Sequence, residues 1–145
     1  MAGVTNISSE AEFKAWGVNP TTDGLLISDI VITSNLSTVQ LSEKTFDGGG
    51  HTITFNPSYT PADKSFGGLF ATTGTGAIIK NFLLISTQDT NTILNVRSGW
   101  ILTSGQMIAN ISNIEIRANG PGVAATANTD DFIGGGFIGF NCGGT

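Results

Sequence analysis

The sequence holds one cysteine, Cys142, and one histidine, His51, in 145 residues. A lone thiol excludes an intrachain disulfide framework, and one histidine with one cysteine cannot by themselves furnish a zinc site. Charge is sparse too. Only 12% of residues are charged, and the six basic ones, Lys14, Lys44, Lys64, Lys80, Arg97 and Arg117, are scattered through the chain. With a net charge of -5 and no basic cluster, nothing matches a nucleic-acid backbone or an anionic membrane surface. No run approaches the roughly 18 apolar residues of a membrane-spanning helix. The opening "MAGVTNISSE" has neither the charged nor the apolar region of a secretory signal; read as a native start, it implies a chain made and kept inside a cell.

What is abundant is glycine, with 20 residues, alongside threonine, asparagine and serine, while 39% of the chain is hydrophobic. That balance is too apolar for disorder and too poor in lysine, glutamate and alanine for a helical protein. One helix is expected, in "ISSEAEFKAWGVNP". Ser9 caps it, Glu12 is the capping-box partner three residues on, and Gly17 with Pro20 ends it. So short a helix is marginal in water and needs a core to cover. From residue 25 onward the pattern becomes short runs rich in Ile, Val, Phe and Thr, bounded by Gly, Asn, Asp and Ser. Strands are expected at residues 25–33, 52–55, 68–70, 77–86, 93–96, 100–103, 111–117 and 137–140. The domain is therefore read as all-β.

Internal repetition narrows the architecture. "GGLFATTGTGAIIKN" from Gly67 aligns with "GWILTSGQMIANISN" from Gly99, so that Leu69, Ile79, Asn81, Phe82 and Leu84 fall on Ile101, Ile111, Asn113, Ile114 and Ile116. A further copy, "GGFIGFN", starts at Gly135. Glycines, apolar positions and one asparagine are what a stacked coil reuses, and a unit this small cannot bury its apolar face alone. "FDGGGHTITF", "FGGLFATTGTGAIIKNFLL" and "GGGFIGFNCGG", preceded by Asp29 and Ile30, resemble in order and spacing the GLUG-motif class of right-handed parallel β-helices within the pectin-lyase-like group. The resemblance implies one domain over residues 1–145. Residues 1–20 would form an N-terminal helical cap, and residues 25–145 about three or four coils, the last incomplete.

The stretch "TFDGGGHTITFN" gathers an acid, three glycines and the sole histidine. It lacks the lysine and spacing of a phosphate-binding loop and leads into a strand, not a helix. Asp47 and His51 have no nucleophile placed beside them by sequence. Asp47, Gly48, Gly49, Gly50 and His51 are therefore expected to form a structural corner: the glycines at positive φ, Asp47 accepting turn amides, His51 bonded locally, and Ile53 and Phe55 facing inward. A second acidic stretch, "NTDD" at residues 128–131, is similar to the element that supplies carboxylates in polygalacturonases. Here no lysine, arginine or Gly-His-Gly accompanies it, and it reads as a polar loop. Asp130 and Asp131 lack a metal-ligand pattern, as does the rest of the chain. Trp16 and Trp100 are of a type that stacks on sugars, but both fall where a cap or coil strand would bury them. The sequons at Asn6, Asn35 and Asn110 are of the number such a composition yields by chance.

A parallel stack leaves unpaired edges at its ends. The expected helix covers the first. At the other, "DDFIGGGFIGFNCGGT" begins a coil and stops, which marks Phe137, Ile138, Phe140 and Cys142 as an assembly edge for other protein subunits. The function expected is non-enzymatic: a structural or interaction protein, needing no cofactor, built into a larger particle inside a cell, such as a minor capsid or decoration protein of a large virus. A cell-surface adhesin or carbohydrate-binding module is the alternative reading. A polysaccharide lyase or hydrolase ranks third.

Overall fold

The computed structural model of the protein describes residues 3–56, 68–72, 76–89, 101 and 109–119. They form an all-β fold whose strand pairs are all parallel, with one helix among the described residues. The strands are β1 (Val4–Ile7), β2 (Asp23–Leu26), β3 (Ile30–Ile32), β4 (Val39–Leu41), β5 (Thr45–Asp47), β6 (Thr52–Phe55), β7 (Phe70–Thr72), β8 (Ala77–Asp89) and β9 (Ala109–Asn119); the helix α1 (Glu10–Val18) lies between β1 and β2. One sheet runs β1-β2-β5-β8-β6-β3 with β9 against β8, and β4 pairs with β7 in a second. Parallel partners need a crossover. Between β2 and β5 it carries β3 and β4, and between β6 and β8 it carries β7.

The long strand β8 organises the sheet. Its first part pairs with β5 (Phe46 beside Ile79) and its later part with β6 (Ile53 beside Leu84), so two strands separated by a corner lie along one continuous strand. Along β8 the inward side chains are Ala77, Ile79, Phe82, Leu84 and Ser86, all buried. A flat strand would alternate without interruption. Here Asn81 sits at φ 61, in the left-handed region, and brings Ile79 and Phe82 to the same side. Asn113, at φ 52, does the same in β9. The register of β8 on β9 sets Ile79 beside Ile111, Phe82 beside Ile114 and Leu84 beside Ile116. These are the pairs the internal repeat aligns, and the Phe70 amide donating to the Ile101 carbonyl at 2.8 Å extends it outside these two strands.

Some boundaries differ from the sequence expectation. Residues 25–33 are two strands, not one, with a corner at residues 27–29 where Ile27 turns outward and the Asp29 carboxylate accepts the Thr52 amide at 2.8 Å. Residues 1–20 are not solely helical, because β1 precedes α1 and pairs with β2 from Val4 beside Asp23 to Ile7 beside Leu26. The strand expected at residues 68–70 is shifted to Phe70–Thr72, since Gly68 at φ 97 is a turn residue. β4 and β5 are strands of three residues, too short to show a period. The expected strands at residues 93–96, 100–103 and 137–140 lie outside the described residues, except for buried Ile101.

Helix α1 begins at Ser9, whose hydroxyl accepts the Glu12 amide at 3.2 Å. Glu12 returns the bond one residue earlier than a capping box does, accepting from the amide and hydroxyl of Ser8, both at 2.7 Å. Those bonds hold its carboxyl below the ordinary value. Phe13 and Trp16 point into the core, and the Trp16 indole donates to the Thr22 carbonyl at 3.1 Å. At the centre lies Phe46. Its ring centroid is 5.6 Å from those of Phe13, Trp16 and Phe82, and 4.9 Å from that of Phe70.

Candidate functional site

The corner at residues 48–51 connects β5 to β6 and lies against the Asn81 bend of β8. Its three glycines serve different needs. Gly48 is buried, and a β-carbon there would stand 2.5 Å from the Asn81 carbonyl oxygen and closer still to the β-carbon of Phe82. Close approach, not an unusual φ, makes glycine necessary at this position. Gly49 (φ 59) and Gly50 (φ 81) take the left-handed conformations that glycine adopts without steric cost. The backbone is tied down layer to layer: the Gly48 amide donates to the Lys80 carbonyl and the Gly50 amide to the Asn81 carbonyl, both at 2.8 Å. The His51 amide closes the turn on the Gly48 carbonyl at 2.8 Å, and the His51 carbonyl accepts from Leu83 at 3.1 Å.

The side chains continue this stitching. Asp47 Oδ1 accepts from the Gly49 amide at 2.9 Å and from Asn81 Nδ2 at 3.0 Å, while Lys80 Nζ lies 3.3 Å from Oδ2. Desolvation pushes the Asp47 carboxyl up, but the bonds from Gly49, Asn81 and Lys80 outweigh it and keep the group below its ordinary value. Asn81 Oδ1 in turn accepts from Asn113 Nδ2 at 2.9 Å, 32 positions along the chain. Because an ionised carboxylate can only accept, Asp47 sets the orientation of both amides above it. On the preceding corner, Asp29 Oδ1 accepts the Thr52 amide and lies 3.3 Å from His51 Nδ1.

The structure thus places Asp47, Gly48, Gly49, Gly50 and His51 together on one corner, with Ile53 and Phe55 fully buried beyond it. Asp29, Lys80, Asn81 and Asn113 belong to the same ridge and were not among the residues singled out from sequence as site residues. The signal for the asparagines was present, since the repeat aligns Asn81 with Asn113. Trp16 is buried against Phe46, away from any sugar-stacking role. Phe137, Ile138, Phe140 and Cys142, the stretch at residues 128–131, and Trp100 lie outside the described residues. Among the described residues no three His, Cys, Asp or Glu side chains are grouped as a metal site, and no helix is long and apolar enough to cross a membrane. Searches of protein-family models, curated proteins and solved structures found no match to this chain.

His51 touches Asp29, which is already bonded to a backbone amide and is 71% exposed in its side chain. An exposed pair of this kind contributes little. His51→Gln is therefore expected to change the unfolding free energy by no more than about 0.5 kcal/mol, as read from urea denaturation. A loss well above that value would show the ring to be a structural strut.

Proposed function

We propose that the chain is a short right-handed parallel β-helix of the GLUG-like type, with α1 as its N-terminal cap. We propose also that it acts without catalysis, as a structural or interaction element of a larger protein assembly, for which the shell of a large virus is one setting. The observation that carries this reading is the use made of the corner's polar groups. Asp29, Asp47, Asn81 and Asn113 all spend donors or acceptors on the backbone or side chain of an adjacent layer, which is how a stacked scaffold holds register. Two further observations support the solenoid form: all pairs are parallel, and one 32-residue interval relates the paired segments of β8 and β9.

The test is cross-linking with mass spectrometry on the protein in its native source, together with a light-scattering mass of the purified chain. The reading predicts a recurrent protein neighbour, either another copy or a second subunit. A strictly monomeric protein without protein neighbours would contradict it. So would turnover of a pectic polysaccharide that disappears in Asp130→Asn.

A further inference from the structure

We propose that α1 is an acid-releasable plug: protonation of Glu10 frees the helix from the loop after β3 and uncovers the aromatic cluster while the strands stay paired. The tie is concentrated on one carboxylate. Glu10 accepts from the Thr33 amide (3.1 Å) and hydroxyl (2.6 Å), the Ser34 amide (3.1 Å) and hydroxyl (3.0 Å), and Lys14 Nζ (2.6 Å). Lys14 reaches the same loop, donating to the Ser34 carbonyl and hydroxyl. Lys14 is the charged group that faces Glu10. Glu12, on the same first turn, is engaged with Ser8, and β1, β3 and β4, against which α1 also packs, contain no titratable side chain.

The other end of the helix is held by packing and not by charge. Trp16 is buried and bonded to Thr22, Gly17 lies close against Val39, Val18 is 86% exposed, and no basic residue occupies the last turn. Nine residues do not keep a helix in water on their own, so undocking and unfolding of α1 are one event. It would expose Phe46 and Phe70, against which Phe13 and Trp16 pack in the structure.

The sign follows from the direction of the shift. Desolvation raises the Glu10 carboxyl, but the bonds from Lys14, Thr33 and Ser34 prevail and lower it from 4.5 to about 2. A group depressed in the folded state stabilises it above the ordinary value and ceases to do so as the pH falls through the folded one. Glu12, lowered by Ser8 at the same helix end, acts in the same sense. The window is therefore from about pH 4.5 down to about pH 2.

Hydrogen exchange with mass spectrometry, corrected for intrinsic rates, tests this on the intact chain. From pH 6 to pH 2.5, protection of residues 10–18 should fall roughly 100-fold, while residues 53–55 and 82–85, away from the Asp47 carboxylate, stay protected. Glu10→Gln at pH 6 should show the same selective loss, and the wild-type titration stands alone if that variant does not fold. Loss of α1 protection only together with the strands would overturn the proposal, as would α1 protection unchanged by acid.

Discussion

Gly48→Ala is expected to destabilise the fold by about 3 kcal/mol. A β-carbon has no rotamer with which to escape. Its position follows from the backbone, and here it would fall 2.5 Å from a carbonyl oxygen of the next layer, that of Asn81. To make room, the corner must lift from β8, which breaks the amide bonds from Gly48 to Lys80 and from Gly50 to Asn81. Gly50→Ala is the control, because a β-carbon at Gly50 meets nothing within 4 Å. Its cost is the positive φ alone, about 1 kcal/mol. Urea unfolding of the two variants measures the contrast. Equal, small losses would mean that the corner does not lie against Asn81 and Phe82.

Phe46→Ala is expected to cost about 3–5 kcal/mol. Phe46 is fully buried and its ring meets those of Phe13, Trp16, Phe70 and Phe82. It therefore joins the helix to β7 and β8. Removing the ring leaves a cavity bordered by aromatic groups that cannot collapse into it without moving α1 or β7. Phe46→Leu retains most of the volume and should cost less than half as much. A denaturation midpoint for Phe46→Ala close to that of the wild type would show that this cluster is not the centre of the core.

Local features of the fold were the more legible ones. The Ser9 cap, the helix it starts and the strand at Thr52–Phe55 depend on residues a few positions apart, and the sequence reading found them. The repeat was also legible, because pairing in register reuses the same residue types every 32 positions along β8 and β9. What escaped depends on groups distant in sequence. Residues 25–33 look like one strand because Ser28 and Asp29 interrupt the apolar run by only two polar residues; Asp29 marks a corner through the Thr52 amide that it accepts from the adjacent strand. Phe46 lies beside the glycine run without a strand pattern of its own, and it is buried because four other rings surround it.

The candidate site shows the same division. "DGGGH" announces a tight corner, and two of its glycines do have positive φ. It does not announce that Gly48 is required by the carbonyl of Asn81, or that Asp47 begins a ladder running through Asn81 to Asn113. Glu10 was the least legible. As the first residue of a helix it suits the helix dipole, but its other partners, Thr33 and Ser34, are 23 and 24 positions away.

The central claim is that successive layers stack in parallel register around this corner. Proton NOEs between backbone and side-chain groups of a uniformly labelled sample test it most directly. The account predicts contacts of Ile79 with Ile111, of Thr54 with Ile85 and of the Asn113 side-chain amide with Asn81. Antiparallel contact patterns between these strands, or a register shifted by one residue so that Ile79 faces Ser112, would contradict it.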